Sequence, residues 1–344
     1  EMINKGEVPE GYKKTKVGII PEDWEVKRLG EIAEVKGGKR IPKGYTLEDE
    51  NNGYPYITVS DMYMGGVSTS AIKYVPLAVV DKISNYRISK DDIFISVAGT
   101  LGIVGIVPEE LDGANLTENA DKITNIKIEK DYLLYVCMSN IIQKEIKKEK
   151  TTNAQPKLAL KRIRNFDISI PYQDEQQKIA QILSTWDEAI ELKEKLIEEK
   201  KEQKKGLMQK LLTGEVRLPG FDGEWEEVRL GEVVDRVAEK NNGKSNNVLT
   251  ISAEDGLISQ ELYFNKQIAS KNLDNYIYLV NGDFAYNKSY SSGYPMGAIK
   301  MLEKYGEGIV SSLYICFRPR EKVSRSYLKQ YFDGNVFNHE IFKI

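Results

Sequence analysis

Asp174–Thr213, about forty residues without a proline, constrains this chain more than any other stretch. It is rich in Glu, Lys, Gln, Leu and Ile, all favoured or tolerated in helices. Asp174 and Gln177 read as a D-x-x-Q capping box, and Thr213-Gly214 as a glycine stop. At ~1.5 Å per residue such a helix is a rod of roughly 60 Å. Its apolar residues recur near a 3.5 period: Ile179, Ile182/Leu183, Trp186, Ala189/Ile190, Leu196/Ile197, Leu207/Met208 and Leu211. Lys200, Gln203, Lys204 and Gly206 interrupt the seam. A helix this long with one apolar stripe needs a partner helix to cover it. Ile179, Leu183, Trp186, Ile190, Ile197, Leu207 and Leu211 are therefore expected to pack against one, and the 344 residues hold no second stretch of this kind.

Related patterns lie on both sides of the helix. Trp24-Glu25 leads to Leu29-Gly30-Glu31-Ile32, and Trp225-Glu226 leads to Leu230-Gly231-Glu232-Val233 at the same spacing. Tyr132-Leu133, Asn140 and Glu145-Ile146 return as Tyr327-Leu328, Asn335 and Glu340-Ile341, at a constant offset of 195 (327 minus 132, 335 minus 140). One long repeat implies two homologous domains rather than a solenoid. Each reads as mixed α/β, with predicted strands at Tyr56–Ser60, Asp92–Val97 and Ile123–Ile128 among Gly, Pro and Asn turns. One helix is expected at Asp131–Lys148, mirrored by Ser326–Lys343. The bodies of the repeats differ: Gly99–Gly102 on one side faces Asn287–Gly293 on the other, as two readers of two ligands would. At the same offset, a second long helix falls near 369–408, beyond Ile344, so the chain is truncated or another chain supplies that helix.

Composition narrows the class. A 41% hydrophobic and 29% charged chain is ordinary for a globular protein, and no apolar run is long enough to span a membrane. Cys137 and Cys316 stand apart with no C-x-x-C, and Glu1–Lys16 carries no signal-peptide core, so a cytoplasmic protein is expected. A net charge of −3 argues against binding nucleic acid by bulk charge alone.

The motifs of catalysis are missing from the sequence. There is no Walker A segment, G-x-G-x-x-G, G-x-S-x-G or Asn/Asp-Pro-Pro-Tyr/Phe loop. His339 is the single histidine, which excludes His triads and His-rich metal sites. Pro21, Asp23, Glu34 and Lys36 can be aligned with a nuclease pattern, although Trp24 and Leu29 between them read as core. A methyltransferase or nuclease with degenerate motifs is the competing class, and a purely structural paired-domain protein a third. Binding signals are stronger. Lys36-Gly37-Gly38-Lys39-Arg40 is a basic, glycine-rich loop able to approach phosphate, or simply an exposed turn. Asn287-Lys288-Ser289-Tyr290-Ser291-Ser292-Gly293-Tyr294 gathers an amide, an ammonium, hydroxyls and aromatics suited to base edges. Lys157, Lys161, Arg162 and Arg164 either touch phosphates or cap the approach to the long helix.

The arrangement resembles the specificity subunit of type I restriction–modification enzymes. The resemblance rests on Thr15-x-x-Gly18-x-Ile20-Pro21-x-Asp23-Trp24, on Ile170-Pro171-Tyr172-Gln173-Asp174-Glu175-Gln176-Gln177-Lys178-Ile179, and on Lys205-Gly206-Leu207-Met208-Gln209-Lys210-Leu211-Leu212-Thr213-Gly214. Ile251–Leu257 and Phe284–Ser289 also look like parts of one class of its target recognition domains. It implies an α/β protein with two target recognition domains, 1–170 and 215–344, separated by a spacer helix at 171–214 that forms a coiled coil. Each domain would read one half of a bipartite site in double-stranded DNA, through Lys36, Lys39, Arg40, Thr58, Ser60 and Thr100 in the first and Ser252, Asn287, Lys288, Ser289 and Tyr290 in the second. The helix would dock two modification (methyltransferase) subunits, and a restriction/translocase subunit would join them. No cofactor is expected in this chain; S-adenosylmethionine, ATP and Mg belong to the partner subunits.

Overall fold

The computed structural model describes residues 8–150, 157–252, 255–264, 272–289, 296–334 and 337. His339, Tyr290–Tyr294 and the predicted second-repeat helix beyond Gly334 lie outside them, Phe337 apart. The chain packs as two units, Glu1–Glu191 and Leu192–Ile344.

The first unit opens with a hairpin of β1 (Tyr12–Thr15) and β2 (Gly18–Pro21). Then come β3 (Glu25–Arg28), the one-turn helix α1 (Leu29–Ile32) and β4 (Glu34–Gly37). β5 (Pro55–Ile57), β6 (Met62–Tyr63), β7 (Gly66–Val67), β8 (Lys73–Tyr74) and α2 (Val80–Ile83) precede β9 (Ile93–Ser96). Next are β10 (Val104–Ile106), β11 (Asn115–Leu116), β12 (Ala120–Thr124), α3 (Lys130–Met138), α4 (Asn140–Lys150), α5 (Leu160–Arg164) and β13 (Asp167–Ile170). The long helix α6 (Gln173–Leu212) starts in this unit.

Strands β10-β9-β12-β4 form an antiparallel sheet in that order. β9 reads Ile-Phe-Ile-Ser and is wholly buried, because both of its faces are covered. Ile93 and Ile95 enter a core with Leu29, Leu133, Ile163 and Ile168, while Phe94 enters another with Ile57, Ile88 and Leu116. A three-stranded sheet, β11-β5-β8, borders the second core.

In the second unit the elements are α7 (Leu230–Val233), β14 (Val234–Val237), β15 (Leu249–Ser252), β16 (Gly256–Ser259) and α8 (Gln260–Phe264). They continue as β17 (Ile277–Val280), β18 (Phe284–Asn287), β19 (Ala298–Met301), β20 (Glu307–Val310), β21 (Ile315–Pro319) and α9 (Arg325–Asp333). Its main sheet runs β19-β18-β21-β14, the order of β10-β9-β12-β4 in the first unit. α3 and α9 begin and end 195 positions apart (325 minus 130, 333 minus 138), as the sequence offset requires. Each central strand is preceded by a buried aspartate paired with a cation. Asp92 lies 3.5 Å from Lys122, and Asp283 takes bonds of 2.6 and 2.8 Å from the Arg318 guanidinium.

Several local expectations are corrected. The helix predicted over Asp131–Lys148 is two helices, because Ser139 turns extended (ψ 155) and its hydroxyl donates to the Val136 carbonyl. The strand expected to run through Ser60 stops at Ile57, where Thr58 and Asp61 close a helical turn: the Thr58 amide and hydroxyl both donate to the Asp61 carboxylate. The strand expected to reach Ile128 ends at Thr124, because Asn125 adopts a positive φ of 51°. The long helix begins one residue before Asp174, and the first-turn amides of Glu175 and Gln176 bond the Tyr172 carbonyl instead of an Asp174 side chain. At its other end Gly214 supplies the positive φ of 73° that a helix stop requires.

Gln176 is buried and ties α6 to its unit. Its amide donates to the Pro171 carbonyl at 2.8 Å and accepts from the Glu129 amide at 3.0 Å. Tyr135 adds a bond to Asp187 at 2.7 Å. Gln176→Leu leaves two buried backbone groups unpaired and is expected to lower the stability of the first unit by about 2 kcal/mol in denaturant unfolding. An unchanged midpoint would show that α6 does not depend on this anchor.

Candidate nucleic-acid interface

The residues expected to meet DNA in the first unit come from the end of β4, at Lys36, and from loops at one edge of the two sheets. β5 and β11 pair in parallel, so Thr58 and Thr117 leave neighbouring strands in the same direction. The Thr117 amide donates to the Ile57 carbonyl. The Lys39 amide donates to the Leu116 carbonyl at 2.8 Å, which brings the end of β4 to the same place. The turn carrying Thr100 joins through Val97 and Ala98, whose amides both bond the Asn119 carbonyl. Lys36, Lys39, Arg40, Ser60 and Thr100 are exposed and Thr58 is half-buried. Thr58 and Ser60 share a hydroxyl–hydroxyl bond of 2.7 Å.

The basic loop is held from several sides. Two of its amides are spent within the fold, Gly38 donating to the Ala120 carbonyl and Lys39 to the Leu116 carbonyl. Gly38 is required by close packing: a Cβ there would lie 2.0 Å from the Thr117 carbonyl oxygen. Two of its side chains are also paired. Lys36 meets Glu34 at 2.7 Å and Arg40 meets Glu118 at 2.5 Å, while Lys39 lies over the Tyr86 ring at 5.5 Å. Burial works to raise the Glu118 carboxyl, yet hydrogen bonds from Arg40 and Thr117 hold it below its ordinary value. Arg162 and Arg164 are also engaged, with Glu149 at 2.8 Å and the Val35 carbonyl at 2.8 Å.

Beside the loop is an open cavity of about 430 Å³ lined by Gly38, Arg40, Glu118, Asp121, Lys157 and Leu160 among others. Asp121 is 5% exposed, and its Oδ2 has no hydrogen-bond partner among the described residues. Burial pushes this carboxyl up to about 6, against the opposing pull of Lys157 and Arg164. Nothing in the local sequence marks Glu118, Asp121 or Tyr86, since their surroundings come from distant segments.

In the second unit Asn287 ends β18, and Lys288 and Ser289 start the turn toward β19. Asn287 accepts from the Ser289 amide at 3.1 Å, while Lys288 and Ser289 are exposed. Tyr290 lies outside the described residues. This turn and the Thr100 turn are equivalent in the two sheets: each links a central strand to the edge strand beside it. Ser252 does not join them. It is 6% exposed, and its hydroxyl pairs with the Asp255 carboxylate and amide, both at 3.1 Å, to close the β15–β16 turn.

Among the described residues no three Asp, Glu, Cys or His side chains gather as a metal site, and no helix is long and apolar enough to cross a membrane. Cys137 and Cys316 are buried, and burial pushes both thiols up to about 12.

Residues 21–201, more than half of the chain, match the family described as type I restriction modification DNA specificity domain, and the chain belongs to that family. It is 28% identical over 217 residues to the type I restriction enzyme MjaVIII specificity subunit of Methanocaldococcus jannaschii, covering 61% of this chain and 50% of that protein. It is 32% identical over 242 residues to the putative type I restriction enzyme MjaX specificity subunit of the same organism, covering 64% and 55%. The chain thus spans about half the length of these curated relatives. In fold it is similar to the type I restriction-modification system S subunit from M. genitalium, with a TM-score of 0.50 at 15% identity over 93% of this chain and 79% of that one.

Proposed function

We propose that this chain is the DNA-recognition subunit of a type I restriction–modification complex. The observation that carries this reading, beside family membership, is the repeated sheet order, with connections of unlike sequence at equivalent places. Each unit reads one half of a bipartite, asymmetric site, and α6 separates the halves and docks methyltransferase subunits. A restriction/translocase subunit completes the assembly, and S-adenosylmethionine, ATP and Mg act there. Methylome sequencing of a host expressing this chain with its modification subunit is expected to show a split motif. Exchanging residues 215–344 for another recognition domain should change one half alone. If both halves changed together, the modular reading fails.

The chain itself is expected to turn nothing over. Methyl transfer or DNA cleavage that persists in the purified chain, after removal of co-purifying subunits, would establish the enzyme alternative.

The two loops divide the work of binding. Lys39→Ala or Arg40→Ala is expected to weaken binding equally on all sequences and to lower the salt slope by about one for each phosphate no longer neutralised. Asn287→Ala or Lys288→Ala is expected to lose roughly 1–3 kcal/mol on the cognate site only. Equal losses on cognate and scrambled DNA for the second pair would remove them from base reading.

A further inference from the structure

Asp121 is a buried group that nothing in the first unit employs. Among the described residues no donor reaches its carboxylate, and only the opposite charges of Lys157 and Arg164 act on it. An unpaired buried carboxylate is costly. The second unit shows that the sheet does not require one. Ile123 pairs with Ile93 and Phe317 pairs with Phe284, the first residues of the two central strands. Two residues back along β12 and β21 stand Asp121 and Ile315, so the fold accepts an aliphatic side chain at this place. The carboxylate also lines the open cavity of about 430 Å³ beside the basic loop, a volume within the range of small-molecule sites.

The walls of the cavity define what an occupant must carry. Asp121 offers acceptors and needs donors. Glu118 adds no second free carboxylate, since Arg40 and Thr117 hold it, so a metal ion would find one acidic ligand. Lys39 and Lys157 line the same cavity, exposed and without an ion pair among the described residues; they repel an ammonium group and attract a phosphate. Leu158 and Leu160 supply an apolar wall for a flat ring. A nucleotide meets all three demands, and the carboxylate selects its base. Guanine presents two adjacent donors, N1–H and the N2 amine, to two carboxylate oxygens. Adenine and cytosine set their amine beside a ring acceptor that would face a carboxylate lone pair, and thymine sets one donor between two carbonyls. We infer that this cavity binds a guanine nucleotide whose Watson–Crick edge is unpaired, with Asp121 accepting from N1–H and N2–H and with Lys157 and Lys39 at the phosphate. Such a nucleotide is either free or carried by DNA as an unpaired guanine.

The test titrates the full chain with dGMP, with dIMP, which lacks the N2 amine, and with dAMP. Binding of dGMP is expected to be about tenfold tighter than that of dIMP, and dAMP is expected to show no saturable binding. Asp121→Ile, which copies the second unit, is expected to weaken dGMP about tenfold without lowering the unfolding midpoint. Lys157→Ala is expected to weaken dGMP and to leave deoxyguanosine, which has no phosphate, unchanged. A duplex with one bulged guanine is then compared with the fully paired duplex. Preference for the bulge that Asp121→Ile removes assigns the guanine to DNA, and dGMP binding without that preference assigns a free nucleotide. Equal binding of dGMP and dAMP would overturn the inference, as would dGMP binding retained in folded Asp121→Ile. So would the absence of both dGMP binding and a bulge preference. The nucleotide titration contains no DNA, so its failure is distinct from failure of the recognition reading.

Discussion

Replacing Trp186 by aspartate is expected to dissolve whatever assembly this chain forms through α6. Leu183, Trp186, Ile190, Ile197 and Leu207 are all exposed on that helix, Trp186 at 67%, while Ile179 and Leu211 are half-buried. Burying one such side chain is worth roughly 1.5–3 kcal/mol, so five represent on the order of 10 kcal/mol as an upper bound. A partner helix, from a second copy, a further C-terminal segment or a modification subunit, is the expected cover. A charge placed mid-seam carries a desolvation cost that apolar neighbours do not offset. Light scattering on the chain, alone and with the modification subunit, measures the effect. A wild-type chain that stays monomeric in both conditions, or an aspartate variant that assembles as well as wild type, would defeat the coiled-coil reading.

Asp121→Asn is expected to stabilise the first unit at neutral pH by up to about 3 kcal/mol. The carboxyl titrates near 3.8 when exposed and at about 6 in the fold, raised by burial. The folded state therefore holds the proton more tightly. The stability linked to that proton is complete below pH 3.8 and is lost as pH rises through 6. Asparagine carries no such titration, so its advantage over aspartate should be largest near pH 7 and vanish near pH 4. Denaturant unfolding at these two values decides the matter. Equal stability of the two proteins at pH 7 would mean that Asp121 finds a partner in solution.

How much of this could be read from the residues depended on whether the deciding interaction was local. α6 was readable because composition and a 3.5 period act within a few turns, and its observed ends lie within one residue of those expected. The repeat was readable through the Trp–Leu spacing and the offset of 195 that α3 and α9 keep. The break at Ser139 was hidden because Ser and Asn compete for helix ends only weakly in sequence. The pairing of Arg40 with Glu118 joins residues 78 positions apart, and no window around the basic loop contains it. Ser252 was expected to meet DNA, and the Asp255 carboxylate that takes up its hydroxyl shows only in the fold. Leu230 repeats the position of Leu29 in the pattern yet is 43% exposed, since burial depends on a neighbouring segment rather than on the leucine.

The hairpin turns have a consequence for how such a chain changes over time. Val97–Ile103 spans seven residues between β9 and β10, and Lys288–Gly297 spans ten between β18 and β19. Both start from strands pinned by a buried aspartate and by cores on two faces. Lengthening a loop whose ends are already fixed costs little, because closure entropy grows only slowly with length. Insertions, deletions and exchanges in these turns can therefore accumulate while the sheet refolds around them unchanged. A protein built this way can change these turns readily and its sheets hardly at all.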